Sequence, residues 1–237
     1  MNLKMKYRIL LILVVLCLVA ELASARTNDL YPIAVLRKGN VWILKSKSAW
    51  QQLTTTGDSK SLCWLDKETI CFARELKTGL KDRPLDWQGL EVIRDLFTVK
   101  KAGGRVNQFT LNHFATEPSP GNIPGRALFT HFELNKHEPA DVWETILPLF
   151  RDRYLGIRGH LADASPDQRW IAATLGTSHE GIVLHNYPDA TTYRKIEGPF
   201  GRPRFSPDSK QVAYLSHDPE KGGIYLFDMP DGEPKMR

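Results

Sequence analysis

The sequence lacks an apolar run long enough to cross a membrane as a helix. Its longest run, residues 9–20, has 12 residues, whereas a membrane-spanning helix needs about 20. Three basic residues precede this run, and Ala23-Ser24-Ala25 follows it, which is the pattern of a cleaved export signal. We therefore expect residues 1–25 to be removed after Ala25. Residues 26–237 would then form one periplasmic or secreted domain, without stable membrane insertion.

The sequence also lacks a block of one charge and is poor in cysteine. The 32 basic and 27 acidic residues alternate along the chain, so we expect no nucleic-acid partner. After export only Cys63 and Cys71 remain, and an even pair in an oxidising compartment suggests a disulfide. A turn centred on Lys67 would place the two opposite each other on one hairpin. Two small buried hydrophobic residues are the alternative.

Motifs that carry chemistry are missing as well. The sequence has no Gly-x-Ser-x-Gly elbow, no Ser-x-x-Lys pair, no glycine-rich phosphate loop and no calcium loop. Its seven histidines are dispersed and form no short metal-binding pattern, so we expect neither a metal nor a cofactor. The polar candidates are the histidines that lie near a carboxylate in sequence, namely His160 with Asp163 and His179 with Glu180.

A repeat is the strongest feature that the sequence does have. Ser165-Pro166-Asp167 and Ser206-Pro207-Asp208 lie 41 residues apart, and an apolar run follows each of them. Proline presets φ and aspartate binds backbone amides, so both segments predict tight turns. We assign weaker copies of the turn to Asp66 and to Ser119-Pro120. A period near 40 with strand-sized apolar pieces is typical of a propeller blade.

The fold class predicted from this repeat is all-β. We expect a β-propeller of about four to five four-stranded blades, and an ordinary β-sandwich is the alternative. The last blade stops at residues 233–237, which are too few for a usual outer strand. The ring is therefore expected to be incompletely closed, and unpaired blade edges would then allow self-association. The alternative is that residues 33–36 pair with the last blade, which would close the ring and leave the protein monomeric.

These units resemble the WD40-like (PD40) repeats of the TolB family. That pattern joins an aromatic residue, Ser-Pro-Asp-Gly, an Ile-Ala-Phe-like strand, an Ile-Tyr-Val-like strand and Leu-Thr. Residues 33–35, 52–55 and 97–99 fit it closely, and the resemblance covers most of residues 31–231. It implies the fold far more than a function. Gln168 and Ser209 stand where the family has glycine, so the turn must tolerate a side chain there.

The departures from the family limit what the resemblance implies. TolB has an additional α/β domain before its propeller, for which this sequence has no room, so the Tol–Pal role is not carried over. Two segments interrupt the repeat. Residues 76–94 predict a long loop, a favoured place for function, and residues 141–150 predict either a strand or a short helix.

The sequence predicts an exported, non-enzymatic propeller that acts as a protein-interaction scaffold for a protein partner. One alternative is a lyase or hydrolase that acts on an extracellular polymer at the central channel, and another is a shortened remnant of a larger propeller protein. Histidines that converge at one channel mouth would favour the enzyme. An apolar or mixed surface patch would favour binding.

Overall fold

The computed structural model describes residues 32–45, 48–76, 93–111, 114–121, 125–131, 140–146, 151–176 and 179–236. All of them except Pro32 belong to one unit, Ile33–Arg237, in which every regular element that the structure describes is a strand. Within these residues no helix is long and apolar enough to cross a membrane. The predicted signal with its cleavage site, and most of the loop at 76–94, lie outside the described residues.

The described strands form five antiparallel sheets, one of three strands and four of four strands. This confirms the predicted all-β propeller of four-stranded blades. In chain order the strands are β1 (Ala34–Arg37), β2 (Asn40–Leu44), β3 (Trp50–Gln52), β4 (Ser59–Trp64), β5 (Thr69–Glu75), β6 (Arg94–Lys100), β7 (Asn107–Gln108), β8 (Ala115–Pro120), β9 (Arg126–His131), β10 (Asp141–Ile146), β11 (Arg151–Arg158), β12 (His160–Ala164), β13 (Trp170–Leu175), β14 (Gly181–Asn186), β15 (Thr192–Glu197), β16 (Phe200–Phe205), β17 (Gln211–Ser216), β18 (Gly223–Asp228) and β19 (Lys235–Met236).

Each sheet follows the chain, with consecutive strands as neighbours. The first strands of the four-stranded sheets, β4, β8, β12 and β16, pack side by side in that order and are the inner strands. We call the end of the sheets where the inner strands begin the loop end. The opposite end, where each inner strand turns into the next strand, is the turn end. The segment at 141–146 is strand β10, so the strand alternative holds there.

The middle strands are apolar without alternation because neighbouring sheets cover both of their faces. Ile171, Ala172 and Ala173 of β13 are all fully buried, and so are the central residues of β14. Ile171 and Ala173 pack towards the preceding sheet, whereas Ala172 packs towards the following one. The core of the protein is therefore a series of layers between stacked sheets.

Two Ser-Pro-Asp segments form tight turns with the same hydrogen bonds. The Ser165 hydroxyl donates to the Asp167 carboxylate at 2.6 Å and accepts the Trp170 N–H at 2.9 Å. Ser206 contacts Asp208 at 2.6 Å and Gln211 N–H at 2.9 Å in the same way. The residues in the family's glycine position adopt left-handed conformations, with φ of 63° at Gln168 and 60° at Ser209.

The weaker copies of the turn differ from one another. Asp66 accepts the N–H of Glu68 at 2.7 Å in the β4–β5 turn. The assignment of Ser119 and Pro120 to a turn is wrong, because both lie in β8, where they pair with Leu128 and Ala127. Proline is tolerated there because an inner strand is an edge strand, which leaves some N–H groups unpaired.

A bulge interrupts every inner strand near the loop end. In three successive sheets the bulge holds a non-glycine residue with φ near 50–60°. The N–H of this residue donates to a hydroxyl of the preceding sheet. The three pairs are Glu117 to Ser61 at 3.1 Å, Leu161 to Thr130 at 3.2 Å and Arg202 to Thr174 at 3.0 Å. These bonds fix each inner strand against its neighbour.

Buried carboxylates also join the sheets. Glu144 of β10 is fully buried and contacts Arg126 at 3.2 Å, Arg153 at 2.7 Å and the hydroxyl of Tyr187, from the following sheet, at 3.0 Å. Asp163 of β12 accepts the N–H of Phe205, from the next inner strand, at 2.8 Å. Burial raises the pKa of Asp163 to about 6, although Arg204 and the Phe205 N–H act in the opposite direction.

The sheets do not close into a ring among the described residues. Strand β1 pairs with β2, and β18 pairs with β17 and β19, so the first and last sheets share no strand. The outer strand of the last sheet, β19, is two residues long. This agrees with the predicted incomplete closure.

We expect Gln168→Gly to stabilise the protein by about 0.5–1 kcal/mol, because glycine adopts positive φ without steric cost. Gln168 is exposed. The matched variant Ser209→Gly should show no such gain, since the Ser209 hydroxyl accepts the N–H of Asp167 at 2.9 Å. Urea unfolding measures both. Destabilisation by Gln168→Gly would contradict this account.

Asp163 should make stability fall as the pH rises from about 4 to 6. Its pKa is about 6 in the folded chain and about 3.9 when unfolded, so the folded state holds the extra proton in this window. The contribution is at most about 3 kcal/mol. Asp163→Asn keeps an acceptor for Phe205 and should gain stability relative to the wild type as the pH rises through the window. A difference that stays constant or shrinks would refute the assignment.

Candidate functional site

Polar side chains from three successive sheets meet at the loop end. His160 begins β12, His179 lies in the connection before β14, and His217 follows β17. The His160 and His179 ring centroids are 5.4 Å apart, and those of His179 and His217 are 4.3 Å apart. We call these three residues, with Glu117 and Arg202, the histidine cluster.

The carboxylate of the cluster belongs to Glu117 of β8. Its Oε2 accepts the Thr130 hydroxyl at 2.9 Å and lies 3.8 Å from Nδ1 of His160. Burial alone would raise the pKa of Glu117. The His160 imidazole, the Thr130 hydroxyl and the N–H of Leu161 outweigh burial, so the pKa is lowered and the carboxylate is ionised at neutral pH.

His179 stands at the centre of the cluster. Burial lowers the pKa of this imidazole first, and the charges of His217, His160 and Arg202 lower it further, while Glu117 acts in the opposite direction. A β-carbon on Gly201 would lie 2.3 Å from Cδ2 of His179. Glycine at position 201 therefore leaves the space in which the ring packs against β16.

The structure brings together only two of the four predicted polar candidates. His160 and His179 share the cluster, whereas Asp163 holds the N–H of Phe205. The backbone of Glu180 forms an isolated parallel β-bridge with Phe200, and the Glu180 carboxylate lies against Gly176. Of the other histidines, His113 and His137 fall outside the described residues.

Sequence reasoning did not assign Glu117, Arg202 or His217 to a site. The 41-residue repeat held a signal for one of them, since Leu161 and Arg202 are 41 residues apart and occupy the same bulge position. Aligning the inner strands through this spacing would have placed Arg202 beside the start of β12. No local motif marks Glu117 or His217, because the histidines that they meet, His160 and His179 respectively, come from a neighbouring sheet.

A second polar feature at the loop end lies in the sheet β4–β7. A cleft of ≈ 410 Å³ is lined by Thr56, Asp58, Arg74, Glu75, Leu76 and Phe97. Arg74 and Asp58 form an ion pair at 3.0 Å, and the Arg74 guanidinium lies over the Phe97 ring, 5.2 Å from its centroid. The cleft opens where the predicted long loop begins.

Cys63 and Cys71 lie directly opposite each other in the β4–β5 pair, the register that a turn centred on Lys67 requires. Both are free thiols here, with Cys71 buried and Cys63 partly exposed. Burial and the neighbouring Cys63 raise the pKa of the Cys71 thiol, which disfavours its reactive thiolate. The disulfide stays a prediction.

The histidine cluster offers acid–base and anion-binding groups. It combines an ionised carboxylate, an imidazole whose pKa is lowered and an exposed guanidinium. Within the described residues, no group of three or more His, Cys, Asp or Glu side chains is arranged to hold a metal ion. The arrangement can therefore bind a charged ligand or move a proton.

Comparison with known proteins gives structural likeness only. No protein-family model and no curated protein matches the sequence. A putative TolB from Agrobacterium tumefaciens superposes with a TM-score of 0.68 at 15% identity, over 88% of this chain and 76% of that one. TolB from Acinetobacter baumannii superposes with a TM-score of 0.66 at 15% identity, over 86% of this chain and 51% of that one. An acylaminoacyl peptidase from Pyrococcus horikoshii superposes with a TM-score of 0.61 at 13% identity, over 88% of this chain and 37% of that one.

This chain thus spans about half of the Acinetobacter protein and about a third of the peptidase. At 13–15% identity these similarities establish the fold and no activity. The resemblance first noted in the repeat therefore extends to three dimensions: the chain has a TolB-like β-propeller fold.

Proposed function

We propose that this chain acts after export as a protein-interaction scaffold that binds through the apolar faces of its terminal sheets. The observation that carries the proposal is an exposed apolar pair on the last sheet. Leu215 and Ile224 face each other across β17 and β18 and are 37% and 52% exposed. Contiguous exposed apolar surface on a soluble protein is typical of an interaction site.

The last sheet has one covered face and one open face. Val212, Tyr214 and Phe227 are buried against β13–β15 of the preceding sheet. Side chains alternate along a strand, so Ala213, Leu215, Ile224 and Leu226 share the opposite face. In the preceding sheets the corresponding face is buried against the next sheet, whereas here no described sheet follows.

The first sheet also has a face that no described sheet covers, although Val35 and Trp42 on it are half-buried. Val41 and Ile43 are buried against the sheet β4–β7. Val35 and Trp42, which are register partners, lie on the other side of the sheet. Ile33 extends this face and is 58% exposed. The two terminal sheets thus present apolar surfaces of the type that packs between sheets elsewhere in the protein.

We assign the occupant of these faces to a second copy of this chain. Each open face continues the sheet-on-sheet interface that runs through the protein, and the natural complement of the last sheet's open face is the open face of a first sheet. In a dimer the last sheet of one copy would cover the first sheet of the other copy. The last sheet of that other copy would in turn cover the first sheet of the first copy. A symmetric arrangement of this kind buries all four faces.

Ile224→Lys should convert the mature chain, residues 26–237, from a dimer into a monomer. A buried, unpaired ammonium in the interface is strongly unfavourable. Leu111→Lys is the matched control, because Leu111 is 61% exposed and lies outside both terminal sheets. Light scattering during size-exclusion chromatography gives the mass, and circular dichroism reports the fold. A monomeric wild type at all concentrations, or an Ile224→Lys dimer, would refute the self-association.

The histidine cluster favours a second candidate function. Convergence of His160, His179 and His217 near the ionised Glu117 at the loop end is the feature that an enzyme acting on an extracellular polymer would need. We rank this candidate second because the cluster accounts equally well for binding without turnover.

A further inference from the structure

The histidine cluster has more cationic than anionic groups. The cluster combines three imidazoles and the guanidinium of Arg202 with one carboxylate, that of Glu117. This carboxylate is already engaged, since it accepts the Thr130 hydroxyl and lies beside Nδ1 of His160. On protonation of the imidazoles the cluster therefore carries more positive than negative charge.

Burial is the largest cause of the depressed pKa of His179, and the charge imbalance adds to it. After burial, its causes are the neighbouring charges of His217, His160 and Arg202, and only Glu117 counteracts them. An added anion at this point would offset the repulsion and favour the protonated imidazole.

One ring nitrogen of the cluster also lacks a hydrogen-bond partner among the described residues. The second ring nitrogen of His160, Nε2, is buried and has no hydrogen-bond partner among the described residues. A buried polar atom without a partner is costly and calls for an explanation. A ligand acceptor would satisfy the N–H form of this nitrogen.

The backbone around the cluster holds these groups in place. Both His179 and Arg202 have left-handed conformations, with φ of 56° and 58°, and the N–H of Arg202 is fixed by Thr174 at 3.0 Å. The main-chain N–H of His217 donates to the carbonyl of Pro199 at 2.7 Å. The site is therefore built on fixed strand ends, which reduces the ordering cost of binding.

We propose that His160, His179, His217 and Arg202 form a binding site for one oxyanion, a carboxylate or a phosphate group, at the loop end of the propeller. Binding takes up protons at the imidazoles, so occupancy rises as the pH falls. Glu117 positions His160 and prevents it from turning away from the site. This inference does not depend on the dimer, because its residues lie outside the open apolar faces.

The test is an NMR titration of the histidine C2–H signals in the full mature chain. Inorganic phosphate and acetate are the two probes, and they separate phosphate-type from carboxylate-type ligands. We expect the pKa of His179 to rise when either probe binds, and the C2–H signal of His217 to shift with it. The affinity should fall by up to about tenfold per pH unit above the imidazole pKa.

Two variants locate the site. His179→Asn and Arg202→Asn suit the left-handed backbone, since asparagine tolerates positive φ, and each should weaken binding at least several-fold. Lys210→Gln is the control, because Lys210 is exposed at the turn end of the same sheet and its loss should change nothing. The proposal is wrong if neither probe shifts His179 or His217 of the wild type at acidic pH. It is equally wrong if Lys210→Gln weakens binding as much as Arg202→Asn.

Discussion

One hydrogen bond recurs between the sheets, and the rest of the structure depends on it. At the bulge of each inner strand after the first, a left-handed residue donates its N–H to a hydroxyl of the preceding sheet. Thr130 and Thr174, two of the three acceptors, are buried. A buried N–H without a partner costs about 1–3 kcal/mol, so each bond fixes where the next inner strand begins.

The same constraint explains why polar groups collect at the loop end. The bulge position is occupied by Glu117, Leu161 and Arg202 in successive sheets, and it needs only a backbone N–H from each. The side chain is therefore free to vary, and two of the three are charged. The connections that carry His179 and His217 end beside these bulges. The imidazole of His179 therefore meets those of His160 and His217, which are 19 and 38 residues away in sequence.

Local chemistry made much of the fold predictable from the sequence. Ser165-Pro166-Asp167 and its copy at 206–208 indicate turns because each residue acts on its own backbone. The register of Cys63 and Cys71 followed from one turn. Ser119-Pro120 was misassigned because the same residue types also fit an edge strand, and only pairing with β9 distinguishes the two cases. Glu117, Arg202 and His217 acquire their meaning from contacts between sheets, which sequence spacing does not display.

Amide hydrogen exchange tests the central claim most directly. The account predicts that the N–H groups of Glu117, Leu161 and Arg202 are as strongly protected as those of the middle strand β13, because opening any of them requires neighbouring sheets to separate. Fast exchange at these three amides, with β13 still protected, would show that the hydroxyl bonds do not hold the sheets together and would contradict the account.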